Sequence, residues 1–323
     1  MCAVFRAAST GEYAVDLKKY ALFLIWPAGD RCRRGGVKAL GSIASRRLLN
    51  FFMLISHPAR PDITYLFIDA GCLRSVVEKI GERYLGDKAG VTVRYDVLRG
   101  IHQKAFYYDA VPAREHGEEQ HIWLEGIDPQ MAALNAIKST DGFHAQLGDL
   151  RGRKARQKKV DVQIAVDMLL HTVRQNMERC TLIAGDIDFQ PLLEALVREG
   201  MYVTLWHPDH AAEDLLNSAD SCMALSPVSL KSCLYGPDGF CLIPENNCNI
   251  RPHDRSDVHM TWKVGTKQLE VSRLGHQWLV ESYDPLASAT SSYIVHPSLR
   301  VALAAAEDYW RIKVPSEVYG LEA

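Results

Sequence analysis

The chain has no long apolar run. A membrane helix needs roughly 18 consecutive apolar residues, and the longest N-terminal candidate, Tyr20 to Trp26, stops at Pro27. A transmembrane anchor is therefore excluded on the sequence. Glu12 and Asp16 precede that stretch and no small-residue cleavage site follows it, which also argues against a secretory leader. Cysteine is sparse, with eight in 323 residues and no C-x-x-C pair. A disulfide scaffold is excluded, and a reducing cytoplasm fits best. No G-x-x-x-x-G-K-[ST], G-x-G-x-x-G or G-x-S-x-G stands at a strand-helix junction, so nucleotide-dependent and serine-hydrolase chemistry fall away. Net charge is nearly absent too, at -2, but the near-zero total hides a distribution. Lys+Arg against Asp+Glu is nine to three in residues 1-52, nineteen to twenty-five in 53-228 and nine to eleven in 229-323, or +6, -6 and -2.

What is present is ample core material, 47% hydrophobic, and a clear change of texture along the chain. Residues 1-62 form an irregular segment with the basic cluster Arg31, Arg33, Arg34 and Lys38; it reads either as a nucleic-acid-binding arm or as sequence upstream of a start at Met53. From residue 63, apolar strand-like runs alternate with amphipathic helices, the pattern of βαβ units on a parallel sheet. ITYLFI (63-68) is expected as a buried strand. Leu73, Val76, Val77, Ile80 and Tyr84 then follow helical spacing. KAFYYD (104-109), FHAQLGD (143-149), CTLIAG (180-185), MYVTLW (201-206) and CMAL (222-225) are the further strands. Asp128-Pro129 reads as the N-cap and first residue of a helix to Lys138. RGRKARQKK (151-159) reads as a polar loop ahead of a helix from Val160. Residues 229-323 read as a small α+β module, with strands at 259-264 and 277-283 and a helix over 299-310. Its role is not legible, nor is whether two chains share a groove in a homo-oligomer.

Ligands of open α/β sheets bind at the carboxyl ends of the strands. Asp69 follows the first strand; Asp186 and Asp188 follow CTLIAG; Asp161 opens the preceding helix, where the positive helix end should favour its ionised form. Four converging carboxylates repel one another unless a cation lies among them. Oxygen donors select a hard ion such as Mg2+ or Mn2+, and phosphodiester hydrolysis is the natural reaction class. Asp109 reads as a cleft residue or a turn residue. Asp167, about 120° around the helix from Asp161, reads as a surface carboxylate or as support near the ion. Six basic residues in nine, among them Arg153, Lys154, Arg156, Lys158 and Lys159, suit phosphate contacts. Tyr107 and Tyr108 offer base stacking, although at least one is expected to fill the core.

At these residues the sequence resembles the NYN domain family, a branch of the PIN-like nucleases. The resemblance rests on YLFIDAGCL, KKVDVQIAVDML and TLIAGDIDFQPLLEALVREGMYV, in that order, and covers about residues 63-228. It implies a Rossmann-like, three-layer α/β fold with a mainly parallel sheet. It also implies a metal-dependent ribonuclease acting on RNA, single-stranded in the reading adopted here, with Asp69, Asp161, Asp186 and Asp188 as metal ligands. Two positions depart from the family pattern. Cys72 stands where an Asn is usual and Ala184 where a Ser is usual, which thins the polar surroundings of the ion and leaves a non-catalytic RNA-binding module as the alternative. An aspartyl phosphatase would need a second carboxylate at position 71, which is glycine.

Overall fold

The computed structural model describes residues 62-110, 119-148, 156-250, 258-286 and 290-322. All lie within one compact unit, Pro61–Ala323. The basic N-terminal segment and the residues Arg153 and Lys154 fall outside the described residues.

The first half runs β1 (Thr64–Asp69), α1 (Ala70–Leu85), β2 (Thr92–Val93), α2 (Tyr95–Arg99), β3 (Lys104–Ala110), α3 (Gln120–Ser139), β4 (Phe143–Gly148), α4 (Arg156–Val173), β5 (Arg179–Ile183), α5 (Gln190–Arg198), β6 (Tyr202–His207), α6 (Glu213–Asn217) and β7 (Ser221–Ala224). Six of the strands make a parallel sheet in the order β4-β3-β1-β5-β6-β7. The expected α/β fold is thus present. The chain winds outward from β1 to β4, returns, and continues from β5 to β7, so the winding direction reverses between β1 and β5. The carboxyl edge at such a reversal opens a crevice.

β1 explains why this sheet is covered on both faces. Tyr65 and Phe67 pack with Ile164 and Met168 of α4 and Leu193 and Leu196 of α5, while Leu66 and Ile68 pack with Leu73, Val76 and Ile80 of α1. A strand buried on both sides reads as a continuous apolar run, which is what residues 63-68 showed.

Two sequence expectations need correction. Helix α3 begins at Gln120, and Pro129 lies inside it. Proline removes one internal hydrogen bond, and the turns before it are mostly exposed, so little in the local pattern marked them as helical. Helix α4 begins at Arg156, so the second half of the basic run is its first turn; Lys and Arg are good helix formers, and high charge alone did not make a loop.

The second half adds α7 (Pro227–Leu230), β8 (Leu234–Tyr235), β9 (Asn247–Ile250), β10 (Val258–Val264), β11 (Lys267–Leu274), β12 (Gln277–Tyr283), β13 (Thr290–His296), α8 (Leu299–Trp310) and α9 (Ser316–Tyr319). It holds a five-stranded antiparallel sheet, β10-β11-β12-β13-β9, while β8 pairs with β2. Two-residue connections join β10 to β11 and β11 to β12, with Gly265 and Gly275 taking the positive φ such hairpins require. Helix α8 joins the two halves. Val301, Ala302 and Ala305 are buried in the same apolar cluster as Val76 and Ile80 of α1 and Trp278 and Val280 of β12. Polar contacts fix its angle. Tyr84 donates to Asp308 at 2.7 Å, Arg83 bridges Glu307 and Asp308, and Arg300 donates to the carbonyls of Glu82 and Arg83. Those carbonyls lie in the last turn of α1, where backbone donors run out; the Gly86 N–H reaches Glu82 and Arg300 supplements it.

Candidate functional site

Asp69 ends β1 and caps α1: its Oδ1 accepts from the Gly71 N–H at 2.9 Å. The same device recurs on the neighbouring strand. Asp186, three residues beyond β5, caps the 3-10 turn Ile187–Phe189, its Oδ1 accepting from the Asp188 N–H at 3.0 Å. Short Asp side chains favour such caps because they reach the next backbone N–H groups. Each cap also aims a carboxylate out of the carboxyl edge of the sheet. Gly185 is required between them, since a Cβ there would lie 2.6 Å from Cγ of Pro208.

Asp161 approaches from α4, in its second turn rather than at its start. The expected help from the helix end therefore fails, because that effect fades beyond the first turn. The Asp161 carboxyl is instead pushed up to about 7, first by burial and then by the charges of Asp69, Asp186 and Asp188. Burial likewise raises Asp69 above its ordinary value, opposed by the Gly71 and Cys72 N–H groups and assisted by Asp109 and Asp186. The four sequence-predicted carboxylates are thus electrostatic neighbours. Among the described residues other than 156-159, none of the four has a salt-bridge partner, and no three His, Cys, Asp or Glu side chains are already closed to the spacing of a bound ion. An all-oxygen, uncompensated set fits a hard divalent cation in chemistry.

The supporting candidates are placed differently. Asp167 turns to β3 and β4, accepting from Tyr108 Oη at 2.9 Å and Gln146 Nε2 at 3.1 Å. Asp109 is buried and accepts from Arg74 at 2.6 Å and Gln130 at 2.8 Å. Tyr107 and Tyr108 are both core, so neither offers a face for a base. Cys72 lines the cleft, and burial together with the Asp69 charge pushes its thiol up to about 12, with Lys79 opposing. It is a neutral thiol at working pH. Ala184 is fully buried in the apolar cluster that includes Leu182 and Leu193, so the absent Ser hydroxyl is not missing from an exposed edge. Arg156, Lys158 and Lys159 lie in the first turn of α4. The sequence reading overlooked Arg74; its only signal there was a basic residue one turn into the helix that follows Asp69.

Two cavities meet at Asp69 and Gly71. One, about 470 Å³, is lined by Cys72, Ser75, Gly185, Asp186, Pro208 and His210 among others. The second, about 330 Å³, is lined by Arg74, Tyr108, Asp109, Val160 and Asp161. Asp69 therefore stands between two depressions, with Asp186 in one and Asp161 in the other.

Among solved structures, the chain is similar to a protein of unknown function from Vibrio parahaemolyticus, at 18% identity and a TM-score of 0.38, over 53% of this chain and 96% of that one. No curated protein matches. The family model for the NYN domain matches residues 61-226. That domain belongs to the PIN-like nucleases; its family generally binds RNA, and such nucleases generally use divalent ions. With half of its length matched, the chain belongs to the NYN domain family.

Proposed function

We propose that the protein is a metal-dependent endoribonuclease that hydrolyses phosphodiester bonds of single-stranded RNA in a reducing cytoplasm, with Mg2+ or Mn2+ held by Asp69, Asp161, Asp186 and Asp188. One observation carries this reading: four mutually repelling carboxylates stand together at the sheet's carboxyl edge. A divalent ion there supplies Lewis acidity toward the phosphate and activates water for in-line attack. The chain's own groups hold and orient. Asp69 and Asp186 are pinned by their caps, and the second oxygen of Asp186 has no hydrogen bond among the described residues. Arg153, Lys154, Arg156, Lys158 and Lys159 contribute salt-dependent contacts to the RNA backbone. Cleavage of a labelled single-stranded RNA is expected to rise with added Mn2+ or Mg2+ and to return to background in EDTA. Cleavage that persists at full rate in EDTA, after metal stripping, would overturn the assignment.

Cys72 favours a second reading, a non-catalytic RNA-binding module, because a neutral thiol is a weak hydrogen-bonding group beside the Asp69 carboxylate. The two readings separate on Cys72→Asn. If the protein is a nuclease with a thinned site, the amide should raise the cleavage rate by about tenfold, the lower end of what polar neighbours of an ion contribute. Measurable RNA affinity with no cleavage by either protein in Mn2+, over a wide pH range, would establish the binding module instead.

A further inference from the structure

Arg74 lies on α1, five residues after Asp69, and Asp109 lies at the end of β3, beside β1. Their ion pair is 2.6 Å long and very unequal in exposure: the Arg74 side chain is 46% exposed, the Asp109 side chain 6%. Asp109 accepts three hydrogen bonds, from Arg74 Nη2, from Gln130 Nε2 at 2.8 Å and from the Ala110 N–H at 2.8 Å. A buried carboxylate so satisfied is fixed in place. It has little capacity left for an ion. The guanidinium it holds is also engaged by the buried Tyr107, whose ring meets Tyr95 edge-on at 5.6 Å. Arginine has five N–H donors, so Asp109 and Tyr107 do not exhaust it. Arg74 lines the 330 Å³ cavity together with Asp69 and Asp161, and it is the one permanent cation lining either cavity among the described residues.

We propose that Arg74 seats a phosphate of the RNA strand next to the scissile bond, and that Asp109 is the positioning residue that aims it rather than one of the ion-holding carboxylates. This rests on the nuclease reading and extends it, giving the groove a direction: the strand's phosphate lies on the Asp161 side of Asp69, and the Cys72 cavity takes the nucleotide on the other side. Geometry favours phosphate as the ligand. A planar guanidinium held from behind by a buried carboxylate presents a fixed fork to a second oxyanion. A lone surface ion pair would contribute little and need no buried network behind it.

The test uses the full chain and a fluorescein-labelled single-stranded oligouridine. Binding is followed by anisotropy in EDTA over a salt series, and cleavage kinetics are measured in Mn2+. Arg74→Gln should flatten the slope of log affinity against log salt by about 0.7, the value for one single-strand phosphate, and raise KM roughly tenfold, as loss of a charged hydrogen bond does. Asp109→Asn keeps the cation, so the slope should stay while KM rises. Arg74→Lys keeps both the charge and a partner for Asp109 and guards against misfolding of the glutamine variant; it should restore the slope but not KM. A wild-type protein that cleaves, beside an Arg74→Gln variant with unchanged slope and KM, would overturn the inference, as would a slope lost in Arg74→Lys. Arg74-dependent binding by a protein that cleaves nothing would retire the nuclease reading and keep Arg74 as a phosphate contact. No RNA binding at all would end both.

Discussion

Asp186→Asn should lower the cleavage rate by about 10³-fold, the scale seen when one preorganised charge-stabilising group is removed from a reacting phosphate or acyl centre. The substitution isolates charge from structure. Asparagine caps turns as well as aspartate does, so its side-chain oxygen keeps the bond from the Asp188 N–H that now measures 3.0 Å. The chain direction at the end of β5 and the approach of Pro208 to Gly185 are then unaltered. In metal-free buffer near pH 4, where Asp161 holds its proton and the repulsion within the cluster is smallest, thermal unfolding should shift by no more than about 0.5 kcal/mol, because the cap is kept. Timed assays on single-stranded RNA at saturating Mn2+ give the rate, and a metal-free melt near pH 4 gives the stability. Unchanged cleavage would show that Asp186 does not serve the reaction, while lost cleavage with a lost fold would point to the cap alone.

That a site was legible here at all follows from the kind of signal it leaves. β1 and β5 are buried on both faces, so each stands out as an apolar run, and the aspartates directly after them are placed at one edge by topology alone. Helix α1 follows apolar spacing and was equally readable. Long-range contacts leave no such trace. Arg74 and Asp109 are 35 residues apart and meet only because β1 and β3 are neighbours. The start of α4 was obscured because a basic run suits a solvated loop and a helical first turn equally well. That shift of four residues moved Asp161 out of the favourable helix end and reversed the expected direction of its proton affinity. The shared core around α8 had a signal that went unused: Val301 to Ala306 is an unbroken small apolar run, suited to a helix approached closely from several sides.

Asp161→Asn is expected to act on stability and on activity with opposite signs. The folded carboxyl titrates at about 7 against an ordinary 3.8, so the native state binds more protons than the unfolded chain across that window. Stability falls as pH rises wherever the native state is the more protonated one. For this group the metal-free protein is therefore most stable below about pH 4, loses stability between about pH 4 and 7 and has lost it fully above, because Asp161 must then ionise beside Asp69, Asp186 and Asp188. Asparagine removes that obligation. In EDTA at pH 8 the variant should melt at a higher temperature than the wild type, and the two curves should converge toward pH 4. A divalent ion reverses the order, since a ligand that binds only the folded state stabilises it by mass action. Added Mn2+ should raise the wild-type melting temperature more than that of the variant, whose cleavage should be reduced by about 10²-fold or more. The measurement is a set of melts from pH 4 to 8 with and without Mn2+. If the metal-free variant at pH 8 is no more stable than the wild type, Asp161 does not carry the repulsion assigned to it. If Mn2+ stabilises both proteins equally, Asp161 is not among the groups that hold the ion.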